Sequence, residues 1–220
     1  MLKIKLKPQI HPEPRPPLEV SNIQVQVSPV EQKVLDFDIE CRPLAWLGGD
    51  FVTKEITAIA AKFLDEDPIY CWLLGVDEPE RMLVEFVELY DRADVVTGHY
   101  IRGYDLPTIN GALHEYGQPP LDTKLTHDTK LDLIKQQGIS GSQENLAAML
   151  GITAPKIQMN NVKWREANRL TEDGLRLTRE RAVGDILQHI ELRQALMDQG
   201  WIGLPKIWHS LPATSSKYRA

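Results

Sequence analysis

The stretch from residue 34 to residue 41, Val-Leu-Asp-Phe-Asp-Ile-Glu-Cys, alternates apolar and acidic side chains. Successive side chains of a β-strand point to opposite faces, so this pattern predicts a strand with Asp36, Asp38 and Glu40 on one face. Like charges on one face repel each other and lower stability unless a positive group lies between them. A divalent cation bound by carboxylate oxygens would supply that charge. A half-buried edge strand with a solvated acidic face would need no cation, and these residues alone do not separate the two interpretations.

The size and composition indicate one sizeable domain inside a cell. The chain has 220 residues, of which 42% are hydrophobic, and this is enough for a substantial core. Two cysteines, Cys41 and Cys71, give no disulfide framework, so we expect a reduced, cytoplasmic protein. No apolar run reaches the length of a membrane span, and the basic N-terminus lacks the apolar segment of a secretory signal.

The charge argues against one class of nucleic-acid binder. The net charge is −6 and the isoelectric point is about 5.5. A protein that coats nucleic acid by broad phosphate neutralisation would carry the opposite sign. An enzyme that grips a few nucleotides through bound cations remains compatible with this charge.

The chain divides into three predicted parts. Residues 1–30 carry five prolines between positions 8 and 17, which predicts an extended or polyproline-like arm. Residues 31–200 contain the regular hydrophobic patterns and form the predicted domain. Residues 201–220 are predicted to be a C-terminal tail, whose last residues are polar and prone to fraying.

The order of predicted elements indicates an α/β domain. Three strands come first, the second and third joined by a turn at residues 65–68, and helices then alternate with two further strands. This order predicts a ribonuclease H-like fold, a mixed β-sheet flanked by helices. Strands are predicted near 33–41, 55–63, 69–75, 94–99 and 129–134, and helices at 78–91, 105–116, 171–198 and in the segment after Ser142.

Two further acids lie far along the chain. Asp105 stands where a loop meets a predicted helix with Pro107 in its first turn, and helix capping alone would explain it. Asp185 lies in the long helix, on the same face as Arg181 and His189. An ordinary surface ion pair with Arg181 would explain Asp185. Asp185 is also next to the apolar stripe of the helix, where an unpaired acid lowers stability.

Taken together, the acidic segments resemble the DnaQ-like (DEDD) 3′–5′ exonucleases, and most closely the proofreading domain of family B DNA polymerases. The first motif is similar to Phe37-Asp-Ile-Glu-Cys41, and the second to the segment from Gly98 to Pro107. Residues 144–153, followed by Lys156, resemble the connecting helix and loop. The third motif is similar to Asp185-Ile186. The resemblance spans roughly residues 33–198.

The resemblance implies a metal-dependent 3′–5′ exonuclease with a two-metal-ion mechanism. The implied catalytic residues and metal ligands are Asp38, Glu40, Asp105 and Asp185. The implied cofactors are two divalent metal ions, Mg²⁺ or Mn²⁺, and the implied substrate is the 3′ end of single-stranded nucleic acid. DNA is the expected form, although the residues do not distinguish DNA from RNA.

Two places depart from the family pattern. Tyr100 stands where the second motif usually has Asn. Arg181 and Glu180 stand where the third motif usually has the Tyr or His that helps to orient the attacking water. His189 lies on the same helical face, one turn in the other direction, and is the candidate for a water-orienting role. The alternative interpretation is that His189 only packs against its neighbours.

The resemblance also suggests where nucleic acid would run and which partners to expect. The segment from Cys41 to Leu44, with Tyr100 and Tyr104, would line the path of the terminal nucleotides. A replicative polymerase is a candidate partner. The small size of the chain and its proline-rich arm are similar to exonucleases of tailed phages, which would act in the host cytoplasm. The alternatives are a weakly active or inactive nucleic-acid-binding module on the same fold, and a structure-specific endonuclease.

Overall fold

The computed structural model of the protein describes residues 32–45, 52–134, 138–154 and 156–210. The predicted arm at residues 1–30 and the final residues 211–220 lie outside this part. The described part contains six strands in one sheet and five helices. The strands are β1 (Val34–Ala45), β2 (Val52–Phe63), β3 (Tyr70–Leu73), β4 (Val95–Gly98), β5 (Lys124–Asp128) and β6 (Lys206–Trp208). The helices are α1 (Pro79–Arg92), α2 (Asp105–Glu115), α3 (Gln143–Met149), α4 (Asn161–Ala167) and α5 (Glu172–Asp198).

The sheet is mixed, and β1 lies inside it. The strand order is β3-β2-β1-β4-β5-β6. β1 pairs antiparallel with β2 and parallel with β4, β4 pairs parallel with β5, and β6 closes the far edge antiparallel to β5. This is an α/β fold compatible with the ribonuclease H-like arrangement, and the predicted fold class is confirmed.

The side chains of β1 and β2 point alternately to the two faces of the sheet, and apolar side chains on both faces pack against helices. Leu35, Phe37 and Ile39 of β1 enter the main core with apolar residues of α1 and α2. From the opposite face of β2, Ala58 and Ala60 pack with residues of α5. These small alanine side chains leave room for a helix to lie close to the strand.

The long helix α5 is anchored at its start by local hydrogen bonding. The Thr171 side chain accepts a hydrogen bond from the Gly174 backbone N at 3.1 Å, as an N-cap does. A Cβ at Gly174 would collide with the Glu166 carbonyl, so glycine permits the close approach of α4. Neither α5 nor any other helix in the described part is long and apolar enough to cross a membrane.

The predicted element boundaries need three corrections. The strand predicted at residues 129–134 is β5, which ends at Asp128, because the Asp128 side chain accepts from the Lys130 and Leu131 backbone N and turns the chain. The helix α4 was not predicted, although Asn160 caps it. The strand β6 pairs with β5 and extends the sheet beyond the boundary predicted at residue 200.

Candidate functional site

Three acids from two distant parts of the chain meet at one point of the sheet. Asp38 and Glu40 leave β1 on the face that α5 covers, and Asp185 leaves α5 toward them. One carboxylate oxygen from each of the three lies within 4.8 Å of the others. The strand register shifts between Glu40 and Cys41, and such a bulge is a common device for re-aiming side chains beside a functional site.

Asp105 approaches the same place from α2. It is the first residue of that helix and is buried, and its Oδ1 accepts a hydrogen bond from the Ile39 backbone N at 3.2 Å. Ile39 lies between Asp38 and Glu40, so this bond ties the start of α2 to the acidic part of β1. Asp105 lines the same cleft as Asp38, Glu40 and Asp185, but it lies outside the tight three-acid group.

Two cations neutralise part of this acidic cluster. Arg181 Nε lies 2.8 Å from Asp185 Oδ2 and 3.4 Å from Glu40 Oε1. Lys156 Nζ lies 2.7 Å from Asp185 Oδ1 and 3.0 Å from Glu144 Oε1. Both cations are largely buried, so their pairing with the acids is little screened by solvent. Both also line the cleft, where they could contact an anionic ligand.

Burial and mutual repulsion raise the pKa values of the clustered acids. Burial raises the pKa of Asp38 well above its usual range, and the charges of Asp105, Asp185 and Glu40 raise it further. Burial and the charge of Asp185 raise the pKa of Glu40 to about 7, against the effect of Arg181. Burial raises the pKa of Asp105 to about 7. Burial also raises the pKa of Asp185, although the charges of Lys156 and Arg181 oppose that rise.

The donor set fits a hard divalent cation. Carboxylate oxygens are the ligands that Mg²⁺, Mn²⁺ and Ca²⁺ prefer in proteins. Burial is the largest cause of the raised pKa values of Asp38 and Glu40, and a divalent ion bound between these acids would favour their charged forms. The cluster of Asp38, Glu40 and Asp185 could therefore bind a metal ion.

Aromatic and basic side chains line the rest of the cleft. Tyr100, Tyr104 and Lys130 lie along it with the acids. Lys130 Nζ sits 4.1 Å from the centre of the Tyr100 ring, and Lys54 Nζ sits 4.2 Å from the centre of the Tyr104 ring. Exposed aromatic rings beside cations provide stacking surfaces for bases and contacts for phosphates.

The other two residues predicted to line the nucleotide path have a different placement. Cys41 is partly buried against the main core and is not among the residues that line the cleft. Burial raises the pKa of its thiol, while a hydrogen bond with Tyr104 opposes that rise. The backbone of Leu44 pairs with Thr53 in the sheet, and its side chain lies outside the described part.

A buried aspartate holds the loop that carries Tyr100. Asp128 is fully buried, and its carboxylate accepts hydrogen bonds from the backbone N of Tyr100 and of Arg102, each at 3.0 Å. Tyr100 has a φ of 74°, a conformation that side chains other than glycine adopt rarely. Gly98 precedes this loop, and a Cβ there would lie 2.7 Å from the Phe37 carbonyl oxygen. The loop is thus fixed against both β1 and β5.

His189 takes part in a buried chain of hydrogen bonds. Its Nδ1 lies 2.6 Å from Asp36 Oδ2, and its Nε2 lies 2.8 Å from Thr129 Oγ1. Thr129 Oγ1 in turn lies 2.9 Å from His99 Nδ1. His99 lines the cleft, whereas His189 does not. With both ring nitrogens engaged, His189 reaches the cleft only through Thr129 and His99, and this geometry does not favour direct contact with a reacting water. Through this contact Asp36 joins β1 to α5.

Sequence reasoning missed how several residues contribute to the site. The spacing of four residues predicted the Arg181–Asp185 pair, but not the contact of Arg181 with Glu40, 141 residues away. Nothing in the sequence placed Lys156 beside Asp185. The connection of His99 to His189 through Thr129 joins three distant parts of the chain, and no local pattern predicts it.

The comparisons with known proteins support the fold. The structure is similar to the family B DNA polymerase of the hyperthermophilic archaeon Pyrobaculum calidifontis, with a TM-score of 0.58 and 18% sequence identity. The match covers 76% of this chain and 24% of the polymerase chain, so the matched part spans about a quarter of the polymerase's length. No protein-family model matches the sequence, and no curated protein matches it.

Proposed function

We propose that this protein is a metal-dependent 3′–5′ exonuclease that hydrolyses phosphodiester bonds at the 3′ end of single-stranded nucleic acid, with DNA the expected substrate. The observation that carries the proposal is the meeting of Asp38, Glu40 and Asp185 within 4.8 Å in an open cleft. The similarity of the fold to a family B DNA polymerase supports the same conclusion.

The proposed metal ligands are Asp38, Glu40, Asp105 and Asp185. Two divalent ions, Mg²⁺ or Mn²⁺, would supply an activated water and would stabilise the negative charge that develops on the phosphate and the leaving oxygen. The four carboxylates would position those ions. The raised pKa values of Glu40 and Asp105 imply that these acids release protons when the ions bind.

Other side chains of the cleft would bind and orient the strand. Lys156 and Arg181 would exchange part of their pairing with Asp185 for contacts to the phosphate oxygens. Tyr100 and Tyr104 would stack on the terminal bases, which explains why a single-stranded end is the proposed substrate. Lys130, next to Tyr100, would contact the backbone of the strand.

A second candidate function is a nucleic-acid-binding module without turnover. It is favoured by Arg181, which occupies the usual place of the water-orienting Tyr and pairs with Asp185 and Glu40. In such a module the side chains of Arg181 and Lys156 would stay paired with the acids in place of metal ions. The cleft would then bind a strand without cutting it. Association with a replicative polymerase is compatible with either function.

A nuclease assay on a single-stranded oligonucleotide with a 5′ label distinguishes these functions. We expect Mn²⁺ or Mg²⁺ to produce a ladder of products shortened one nucleotide at a time, and a chelator to abolish it. A strand with a blocked 3′ end and a circular single strand serve as controls, and both should stay intact. Binding without release would favour the module, and cutting of the circle would favour an endonuclease. Matched DNA and RNA strands measure the substrate preference.

A further inference from the structure

Arg181 lies against two of the three clustered acids. Its Nε is 2.8 Å from Asp185 Oδ2 and 3.4 Å from Glu40 Oε1. These two residues and Asp38 form the group in which one carboxylate oxygen of each lies within 4.8 Å of the others. A metal ion bound by this group would therefore use carboxylates that the guanidinium of Arg181 already contacts.

Within the described residues, Arg181 is the one cation that pairs with both Glu40 and Asp185, because Lys156 pairs with Asp185 and Glu144. A guanidinium keeps its positive charge at any working pH. The Arg181 side chain is only 15% exposed, so solvent screens this charge little. The family resemblance implies an uncharged Tyr at this place, and the charge is therefore a feature of this chain.

The rest of the guanidinium contacts groups outside the three acids. Nη1 donates a hydrogen bond to the Ile157 carbonyl oxygen at 3.2 Å, and Nη2 lies 3.8 Å from Glu144 Oε1. Glu144 and Arg181 both line the cleft. A guanidinium that gives up the acids thus has other partners nearby, and a phosphate in the cleft would add a stronger one.

A divalent ion and this guanidinium oppose each other at the same carboxylates. Like charges a few ångströms apart repel strongly where solvent is scarce. Binding of the ion also requires the carboxylates to give up part of their pairing with Arg181. Removal of the positive charge should therefore tighten metal binding, whereas removal of a residue that merely supports the acids should weaken it.

We propose that Arg181 competes with the metal ion for Glu40 and Asp185, and that a phosphate of the bound strand takes up the displaced guanidinium. Metal and strand then bind cooperatively, and each raises the affinity for the other by the same factor. The coupling keeps metal occupancy low until a strand enters the cleft. This inference rests on the proposed function, since the phosphate belongs to the proposed substrate.

Calorimetric titration of Mn²⁺ into the full-length, metal-free protein tests the competition. We expect Arg181→Gln, which keeps hydrogen-bond donors without the charge, to bind Mn²⁺ about tenfold more tightly than wild type. Arg181→Tyr should show the same gain and replaces Arg181→Gln if that variant does not fold. Arg181→Lys, which keeps the charge, should stay near the wild-type affinity. Equal or weaker binding by the uncharged variants would overturn the competition.

Arg176→Gln is the matched control on the same helix. The Arg176 side chain is 57% exposed and pairs with Asp173 and Glu180, away from the three acids. Its replacement changes the net charge of the protein by the same amount as Arg181→Gln. We expect its Mn²⁺ affinity to stay within about twofold of wild type, because exposed charges are screened. A gain as large as that of Arg181→Gln would mean a general charge effect and would overturn the local competition.

Thymidine 5′-monophosphate measures the coupling, because it offers a phosphate but no phosphodiester bond to cut. At a saturating concentration of this nucleotide, we expect the Mn²⁺ affinity of wild type to rise about tenfold and that of Arg181→Gln to rise clearly less. Thymidine, which lacks the phosphate, should leave both affinities unchanged. An equal rise in the two proteins would overturn the transfer of Arg181 to the phosphate.

These results separate the inference from the proposed function. Nucleotide release by wild type, with equal Mn²⁺ affinities in wild type and Arg181→Gln, would overturn the competition and leave the nuclease intact. Tighter Mn²⁺ binding by Arg181→Gln, with no nucleotide release by wild type, would support the competition and contradict the nuclease. Absence of Mn²⁺ binding in both proteins would contradict both proposals.

Discussion

The two faces of β1 have the same backbone but very different surroundings. On its apolar face, Phe37 is fully buried and its ring lies 5.0 Å from that of Phe86 on α1. On its acidic face, Asp38 and Glu40 open into the cleft and have raised pKa values. One face therefore stabilises the fold, while the other concentrates charge at a cost in stability. Such a concentration of acids is retained where a bound cation or substrate makes use of it.

Asp38→Asn should produce the largest effect, a loss of nuclease rate without a loss of stability. The proposed mechanism requires the Asp38 carboxylate at the metal centre, so we expect at least a thousandfold loss of nuclease rate, or about 4 kcal/mol of transition-state stabilisation. The melting temperature of the metal-free protein should stay the same or rise, because one repelling charge is removed. Rates at saturating Mn²⁺ and thermal unfolding measure the two effects. Near-wild-type turnover would contradict the assignment.

Phe37→Ala should affect the opposite property. Removing a fully buried phenyl ring leaves a cavity and destabilises the protein by about 3 kcal/mol. Urea unfolding measures the free energy, and Phe37→Leu is the control with a smaller cavity. At a temperature where the variant remains folded, its nuclease rate should fall far less than that of Asp38→Asn. An equal loss of rate would mean that the two faces of the strand are not separable.

The pH dependence of stability should give the smallest effect. In the folded, metal-free protein the pKa of Glu40 is raised from 4.5 to about 7, so the folded state holds a proton that the unfolded state has lost. Stability due to this group is therefore lost as the pH rises from about 4.5 to about 7.

The difference between wild type and Glu40→Gln measures this effect together with the smaller rise in the pKa of Asp38 that the charge of Glu40 causes, which has the same sign. Buried histidines such as His99, whose pKa is lowered, change stability in the opposite direction and cancel in the difference. Thermal unfolding in a chelator at several pH values should show wild type losing stability relative to the variant as the pH rises, and added Mn²⁺ should restore it. A gain of wild type relative to the variant over this range would rule out the raised pKa.

The predictions from sequence succeeded where the signal was local. The alternation in β1, the hairpin turn at residues 65–68 and the helix that follows Ser142 are readable from a few neighbouring residues. The strand near residue 129 was misplaced because the apolar residues after Asp128 imitate a strand, while the Asp128 side chain turns the chain. Short elements such as β6 carry too few residues for a periodic signal.

The amino-acid pattern alone established the α/β class and put acids on one face of β1, because strand alternation depends only on neighbouring residues. The assembly of the cleft required the folded chain. Arg181 meets Glu40 across 141 residues and His189 meets Asp36 across 153, so no local pattern could reveal either pair. Burial then raised the pKa values of the clustered acids, since desolvation and nearby charges exist only after the sheet and α5 have packed.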